Sequence, residues 1–271
     1  LLREILTDDE HCVGLLLPPS VGGAVVNAAV PLCRRVPVNL NYTLSADILN
    51  HCIAEADIRH VLTSRRVIEK MNLQIDAELV CLEDFKEKVT LADKLVGAIS
   101  GIVTPVGLLA RQLGVHDLND EEIFTIIFTS GSTGEPKGVM LTMGNIGSNV
   151  AAIDSVVHLH KEDVLLGILP FFHVFGYTAT LWTVLTLPPK GIYHFSPLQA
   201  REVGKLCRRH RATIVLSTPT FLRGYLKQCE VADFEHVDVL ATGAERLPVE
   251  LADAFEKKFG IRPMLEKFPQ M

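Results

Sequence analysis

The chain has 271 residues, 48% of them hydrophobic and 21% charged, with a net charge of −6 at neutral pH. That length and apolar content suit one large α/β domain or two small ones around a sizeable core. Lys and Arg are scattered and the isoelectric point is about 5.9, which excludes a basic nucleic-acid-binding patch.

Read in chain order, short apolar runs alternate with helical patterns. Cys12 to Leu17 ends at Pro18-Pro19, Val21 to Leu32 has the length of a buried helix, and Val36 to Leu40 is apolar again. Ser45 is placed to cap a helix whose Ile48, Leu49, Cys52 and Ile53 share one face, and Arg59 to Leu62 and Leu79 to Leu82 are strand candidates. Alternation of this kind predicts α/β architecture with mostly parallel sheets flanked by helices.

Leu95 to Ala110 carries no charge and lies between Lys94 and Arg111. It is shorter than the ~20 apolar residues a bilayer span takes, and Pro105 interrupts it. Two readings stay open: a buried hairpin or helix, and an element facing a membrane surface or a fatty acid.

The most informative stretch is Ile126 to Met140, Ile-Ile-Phe-Thr-Ser-Gly-Ser-Thr-Gly-Glu-Pro-Lys-Gly-Val-Met. A β-branched strand gives way at Thr129 to a turn of glycines and hydroxylated residues. Gly131, Gly134 and Gly138 free the backbone to aim N–H groups at one spot, Thr129, Ser130, Ser132 and Thr133 add hydroxyls, and Lys137 adds a positive charge. A polyphosphate presents several oxygens close together, and this set of donors matches it. Pro136 before Lys137 and Gly138 after it depart from the Gly-Lys-Ser/Thr ending of an ordinary P-loop. Thr142 is then placed to cap a helix with Ile146, Val150, Ile153 and Val157 on one face, so the loop is expected between a strand and a helix.

Val164 to Leu187 has no Asp, Glu, Lys or Arg, but Gly167, Pro170, His173 and Gly176 break it into a strand, an aromatic turn and a buried helix. Ser196-Pro197 predicts a helix start running through His210. Thr213 to Leu216 and Val237 to Ala241 read as strands, and Pro219 to Cys229 and Pro248 to Phe259 as helices. The six cysteines (Cys12, Cys33, Cys52, Cys81, Cys207 and Cys229) lie far apart with no metal spacing and read as reduced thiols of a cytoplasmic protein. No internal repeat is present, and the opening Leu-Leu-Arg lacks a secretory signal, as in a chain that begins inside a longer protein.

Thr129 to Gly138 resembles the phosphate-binding signature of the adenylate-forming, or AMP-binding, superfamily of acyl-CoA synthetases, peptide-synthetase adenylation domains and firefly-type luciferases. Leu169-Pro-Phe-Phe-His-Val-Phe-Gly176 resembles that family's second motif, and Ser217 to Leu222 and Thr242-Gly243-Ala244-Glu245 are similar to further family sequence. Residues 36–43, 59–66, 82–95 and 218–230 resemble the synthetase half of bacterial enzymes that join a lysophospholipid acyltransferase to an acyl-acyl-carrier-protein synthetase, with a place in phospholipid metabolism.

The resemblance implies that residues 1–271 form most of the large N-terminal domain of that fold. It also implies ATP-dependent activation of a fatty acid as acyl-AMP, then transfer to acyl carrier protein or coenzyme A, in the cytoplasm with peripheral contact at the inner membrane among the expectations. Thr129, Ser130, Gly131, Ser132, Thr133, Gly134 and Lys137 would bind the phosphates of ATP, and Gly243, Ala244 and Glu245 the base. Phe172, His173, Phe175, Gly176 and Thr218 would form the acyl pocket, with Lys137 and His173 as catalytic residues. Mg²⁺ is implied, but the family's metal-binding Glu, in Gly-Tyr-Gly-x-Thr-Glu after Glu266, is replaced by Lys-Phe-Pro-Gln-Met. Only Thr133 is left as a metal contact, the C-terminal lid is expected to be absent, and Met143-Gly144 replaces the family's usual pair. These departures predict an inactive or weakly active fragment; the alternative is a non-catalytic remnant or nucleotide- and acyl-binding module.

Overall fold

The computed structural model describes residues 2–71, 74–130 and 135–265, with only the backbone of Ser130 and Leu265. The chain divides into two compact units, residues 1–17 with 22–144 and residues 18–21 with 145–271.

In the first unit the order is α1 (Leu2–Ile5), β1 (Cys12–Leu15), α2 (Val21–Leu32), β2 (Val36–Asn39), α3 (Ala46–Glu55), β3 (His60–Thr63), α4 (Arg65–Met71) and β4 (Glu78–Cys81). There follow α5 (Leu82–Lys88), α6 (Leu91–Val103), α7 (Val106–Leu113), β5 (Ile123–Ser130) and β6 (Pro136–Thr142). They build a six-stranded sheet in the order β4-β3-β1-β2-β5-β6, parallel except for β5 against β6. Strands this apolar need cover on both faces. One cluster forms around Val13, Leu15, Val26 and Val30, another around Val38, Leu40, Leu49 and Val61. Leu49, Cys52 and Ile53 of α3 are buried as the periodicity requires, but the Ser45 side chain makes no capping hydrogen bond. Ser45 is exposed, and water can serve the free N–H groups of that first turn.

The second unit holds α8 (Met143–Val157), β7 (Val164–Gly167), a π-helix (Gly176–Trp182), α9 (Thr183–Thr186), β8 (Lys190–Tyr193), α10 (Ala200–His210) and β9 (Ile214–Ser217). It continues with α11 (Pro219–Gln228), a 3₁₀ turn (Val231–Phe234), β10 (Val239–Thr242), α12 (Val249–Phe259) and β11 (Met264–Leu265). All five strands are parallel, in the order β11-β10-β9-β7-β8. The core on one side packs Tyr225, Phe234, Phe255 and Phe259, with the Phe255 and Phe259 rings 4.5 Å apart. Ile146, Val150 and Ile153 are buried on α8 as expected.

One boundary departs from the sequence reading. The helix expected from Ser196-Pro197 begins at Ala200; the Pro197 carbonyl instead accepts a 3.0 Å hydrogen bond from the buried Tyr225 hydroxyl. The uncharged segment Leu95 to Ala110 is helical but not buried: no residue of α6 or α7 is buried.

Candidate functional site

The Gly/Ser/Thr loop lies between two strands, not between a strand and a helix. β5 and β6 pair antiparallel with Thr129 opposite Lys137 and Ser130 opposite Pro136. The residues after Lys137 extend as β6, and only after Thr142, which stands directly before α8, does a helix begin. The loop therefore draws on no helix N-terminus, and its positive field must come from its own amides and from Lys137. Gly131, Ser132, Thr133 and Gly134 lie outside the described residues, as does everything after Leu265, including the Lys-Phe-Pro-Gln-Met ending.

Residues directly opposite on an antiparallel pair project to the same face. Thr129 and Lys137 are such a pair and both are exposed. Among the described residues the Lys137 ammonium makes no ion pair. Gly138 has a packing role that the sequence did not disclose. A Cβ there would lie 3.0 Å from Ile126 Cγ2 and 3.4 Å from the Phe128 ring, so glycine lets β6 close onto β5 beside the loop. Behind it, the buried Thr125 hydroxyl donates to the Pro37 carbonyl at 2.8 Å and ties β5 to the parallel sheet.

In the second unit the other expected residues gather at the carboxyl ends of β7, β9 and β10, where ligands of open parallel sheets commonly sit. β7 runs into the turn Pro170 to Phe175, in which Phe171 and Phe172 are buried, Phe175 is half-buried and the His173 side chain is exposed. Phe171 meets Tyr193 edge-on at 5.6 Å and Phe172 lies 4.7 Å from the His173 ring. Desolvation by the atoms crowded about it pushes the His173 pKa below its ordinary value. The ring therefore stays neutral at neutral pH, able to accept or donate one hydrogen bond.

Two glycines set this geometry by close approach. A Cβ on Gly176 would fall 2.1 Å from the Pro170 carbonyl oxygen, and one on Gly243 would fall 3.0 Å from the Phe175 ring. Phe175 thus lies against the backbone of the turn after β10. That turn is fixed by a hydrogen bond from Gly243 N to the Ser217 carbonyl, 3.2 Å. Ala244 takes a left-handed φ of 66°, and Glu245 accepts from the Thr220 hydroxyl at 2.8 Å. Sequence reasoning found the Gly-Ala-Glu turn but not Thr220, whose position as the second residue of α11 is what brings it to Glu245.

Thr218 is the N-cap of α11, its hydroxyl accepting from Phe221 N at 3.4 Å. Replacing it by Ala is expected to lower stability by about 0.5–1 kcal/mol, measured by urea unfolding. If its part is capping alone, ligand affinity stays unchanged in the same variant. The small cavity beneath these turns, about 20 Å³, is lined by apolar residues such as Ile153, Leu165, Ala179 and Leu216 and includes none of Phe172, His173, Phe175, Gly176 or Thr218. It is about the size of one water and far too small for an acyl chain.

The π-helix that starts at Gly176 was not anticipated. Such segments are uncommon and recur at functional sites. Here the Thr180 hydroxyl bonds back to the Gly176 carbonyl at 2.6 Å, and Tyr193 Oη donates to the Thr180 carbonyl at 3.2 Å.

All six cysteines are free. Burial pushes the Cys207 thiol up to about 12 and the Cys52 and Cys229 thiols up to about 11, so none of these three supplies a thiolate nucleophile near neutral pH. Among the described residues no group of three or more His, Cys, Asp or Glu side chains is placed to hold a metal ion. Thr133, the contact that the sequence leaves for Mg²⁺, lies outside the described residues.

Comparison with known proteins agrees with this layout. A long-chain-fatty-acid–CoA ligase of Bacillus subtilis is 36% identical over 151 residues, taking in 52% of this chain and 26% of that protein. The 4-coumarate–CoA ligase 4 of Arabidopsis thaliana is 26% identical over 256 residues, 91% of this chain and 44% of that protein. The chain thus spans less than half the length of these curated relatives. In fold it is similar to the inhibitor-bound N-terminal domain of FACL13 from Mycobacterium tuberculosis (TM-score 0.75, 22% identity, covering 94% of this chain and 62% of that one). It is also similar to ATP-bound MatB from Rhodopseudomonas palustris (TM-score 0.73, 22% identity, 98% and 51%). The sequence model of the AMP-binding enzymes matches residues 1–268, nearly the whole chain, and the protein therefore belongs to the AMP-binding enzyme family.

Proposed function

We propose that this chain forms the ATP- and acyl-binding part of an acid–thiol ligase, which activates a fatty acid as acyl-AMP and passes the acyl group to a thiol. The carrying observation is the β5–β6 hairpin, which sets an exposed Lys137, in no ion pair among the described residues, opposite Thr129 beside a glycine- and hydroxyl-rich loop. Carboxylate attack on the α-phosphate brings two anions together, and the charge that builds on the departing pyrophosphate needs a fixed cation and amides. Lys137 and the loop would hold the phosphates. Phe175, Gly243, Ala244 and Glu245, at the carboxyl ends of the second sheet, would hold the base and the start of the acyl chain, and neutral His173 would orient the carboxylate.

Long-chain acid as substrate is supported by the Bacillus subtilis ligase, and a carrier-protein acceptor by the likeness of residues 36–43, 59–66, 82–95 and 218–230 to acyl-acyl-carrier-protein synthetases. With that acceptor we assign a place in phospholipid metabolism, in the cytoplasm and in peripheral contact with the inner membrane.

The test is calorimetric titration with non-hydrolysable acyl-adenylate analogues of increasing chain length, since an intermediate analogue gathers the binding energy of both substrates. Affinity should rise with chain length and fall by about tenfold to a hundredfold in Lys137→Ala, the loss of one charge-assisted phosphate contact. A folded chain that takes up no analogue of any length would refute the assignment.

A further inference from the structure

We propose that α6 and α7 dock the protein on an anionic lipid surface, the apolar side chains entering the acyl layer and Lys94 and Arg111 at its two ends meeting the headgroups. This deepens the peripheral membrane contact suggested above. In α6 the large apolar side chains Leu95, Val96, Ile99, Ile102 and Val103 recur at helical spacing on one side, and Val106 continues them into α7; they are 54–84% exposed. Scattered exposed apolar residues are ordinary, whereas a continuous run of this kind marks an interaction surface. The opposite side of α6 is bare as well: a Cβ on Gly97 or Gly101 would meet nothing within 4 Å.

The polar groups of these helices are settled internally. Thr90 and Asp93 close a capping box at the start of α6, with Thr90 N to Asp93 Oδ2 at 2.9 Å. Those hydrogen bonds from Thr90 hold the Asp93 carboxyl below the usual range. Gly114 caps α7 in the left-handed conformation, and the last carbonyls are taken by Arg3 on Leu113 (2.6 Å) and Arg34 on Gly114 (2.7 Å). The far end of α7 is thereby anchored to the first unit, while the Thr104–Pro105 junction carries no charge.

Charge selects the occupant. Lys86, Lys88, Lys94 and Arg111 flank the uncharged stretch, and among the described residues none of them makes an ion pair. The nearby acids keep their charge but are held locally: Asp84 and Glu87 pair with Arg65, Glu83 accepts the Arg65 backbone N–H, and Asp93 sits in its capping box. The apolar element thus has a cation at each end, Lys94 and Arg111, neither of them in an ion pair among the described residues, the pattern of an interfacial helix on anionic lipid. Neither helix is long and apolar enough to cross a membrane.

The test is flotation of the whole chain with vesicles of phosphatidylcholine alone and of phosphatidylcholine with phosphatidylglycerol, without ATP or fatty acid. The chain should float with the anionic vesicles. Ile102→Asp should reduce binding by about tenfold or more through lost apolar burial, and the double variant Lys94→Glu, Arg111→Glu by a similar factor. Both sites are exposed, so circular dichroism should show both variants folded. Absence of flotation, flotation indifferent to these substitutions, or a self-association that Ile102→Asp abolishes would overturn the proposal, the last by showing a second copy as the occupant. A chain that binds acyl-adenylate analogues but not vesicles would sink this inference and leave the proposed function standing.

Discussion

Gly176→Ala is expected to destabilise the second unit by about 3 kcal/mol or more, at or beyond the upper end of overpacking substitutions. The added Cβ would stand 2.1 Å from the Pro170 carbonyl oxygen, 2.8 Å from its carbon and 2.9 Å from the Leu169 carbonyl oxygen. All three obstacles are backbone, so no side-chain rotation relieves the overlap. The Pro170 carbonyl also accepts the His173 N–H at 3.2 Å, and the turn that would have to move carries the buried Phe171 and Phe172. Trp182, the single tryptophan, ends the π-helix that begins at Gly176, so its emission during urea unfolding reads this unit directly. A midpoint equal to that of the unsubstituted chain would show that the turn yields freely. Because the same turn sets Phe175 against Gly243, affinity for an acyl-adenylate analogue should fall in the folded fraction as well.

Glu10→Ala should cost the first unit about 3 kcal/mol by leaving two buried donors without an acceptor. Glu10 is 1% exposed and His60 is 7% exposed. One carboxylate oxygen accepts the His60 backbone N–H at 3.0 Å, the other lies 2.8 Å from Nδ1 of the same residue. Nε2 of that ring lies 3.5 Å from a Glu78 oxygen. The carboxylate thus ties the segment before β1 to the first residue of β3, and removing it exposes both strands to earlier opening. Amide hydrogen exchange in β1 and β3 is the appropriate reading, because it reports opening of that sheet whatever the other unit does. Glu10→Gln retains an acceptor for one donor and should lose less; equal exchange in all three proteins would show that the pair contributes nothing.

Much of the architecture was legible in the sequence because it follows from local periodicity. The buried face of α3 and that of α8 were both given by apolar spacing, and the alternation of strands and helices pointed to parallel sheets. The loop's composition is legible too, since Thr129, Lys137 and the glycines between them are defined by residue type. Its setting is not. Pro136 to Thr142 could end a loop or continue as a strand, and pairing with β5 decided for the strand. Ser196-Pro197 carries a sound local signal for a helix start, yet the distant Tyr225 hydroxyl holds the Pro197 carbonyl and the helix begins at Ala200.

The sequence by itself determined that this chain is an α/β protein of the AMP-binding type, because the motifs and periodicities that mark it reside in residue types a few positions apart. Only the tertiary structure decided what depends on partners far along the chain: the Glu10 and His60 pair, fifty residues apart, the approach of Phe175 to Gly243, and the exposure of α6 and α7. For that last segment an uncharged sequence fits a buried core and a bare surface equally well, and the distinction lies in whether any other element packs over it.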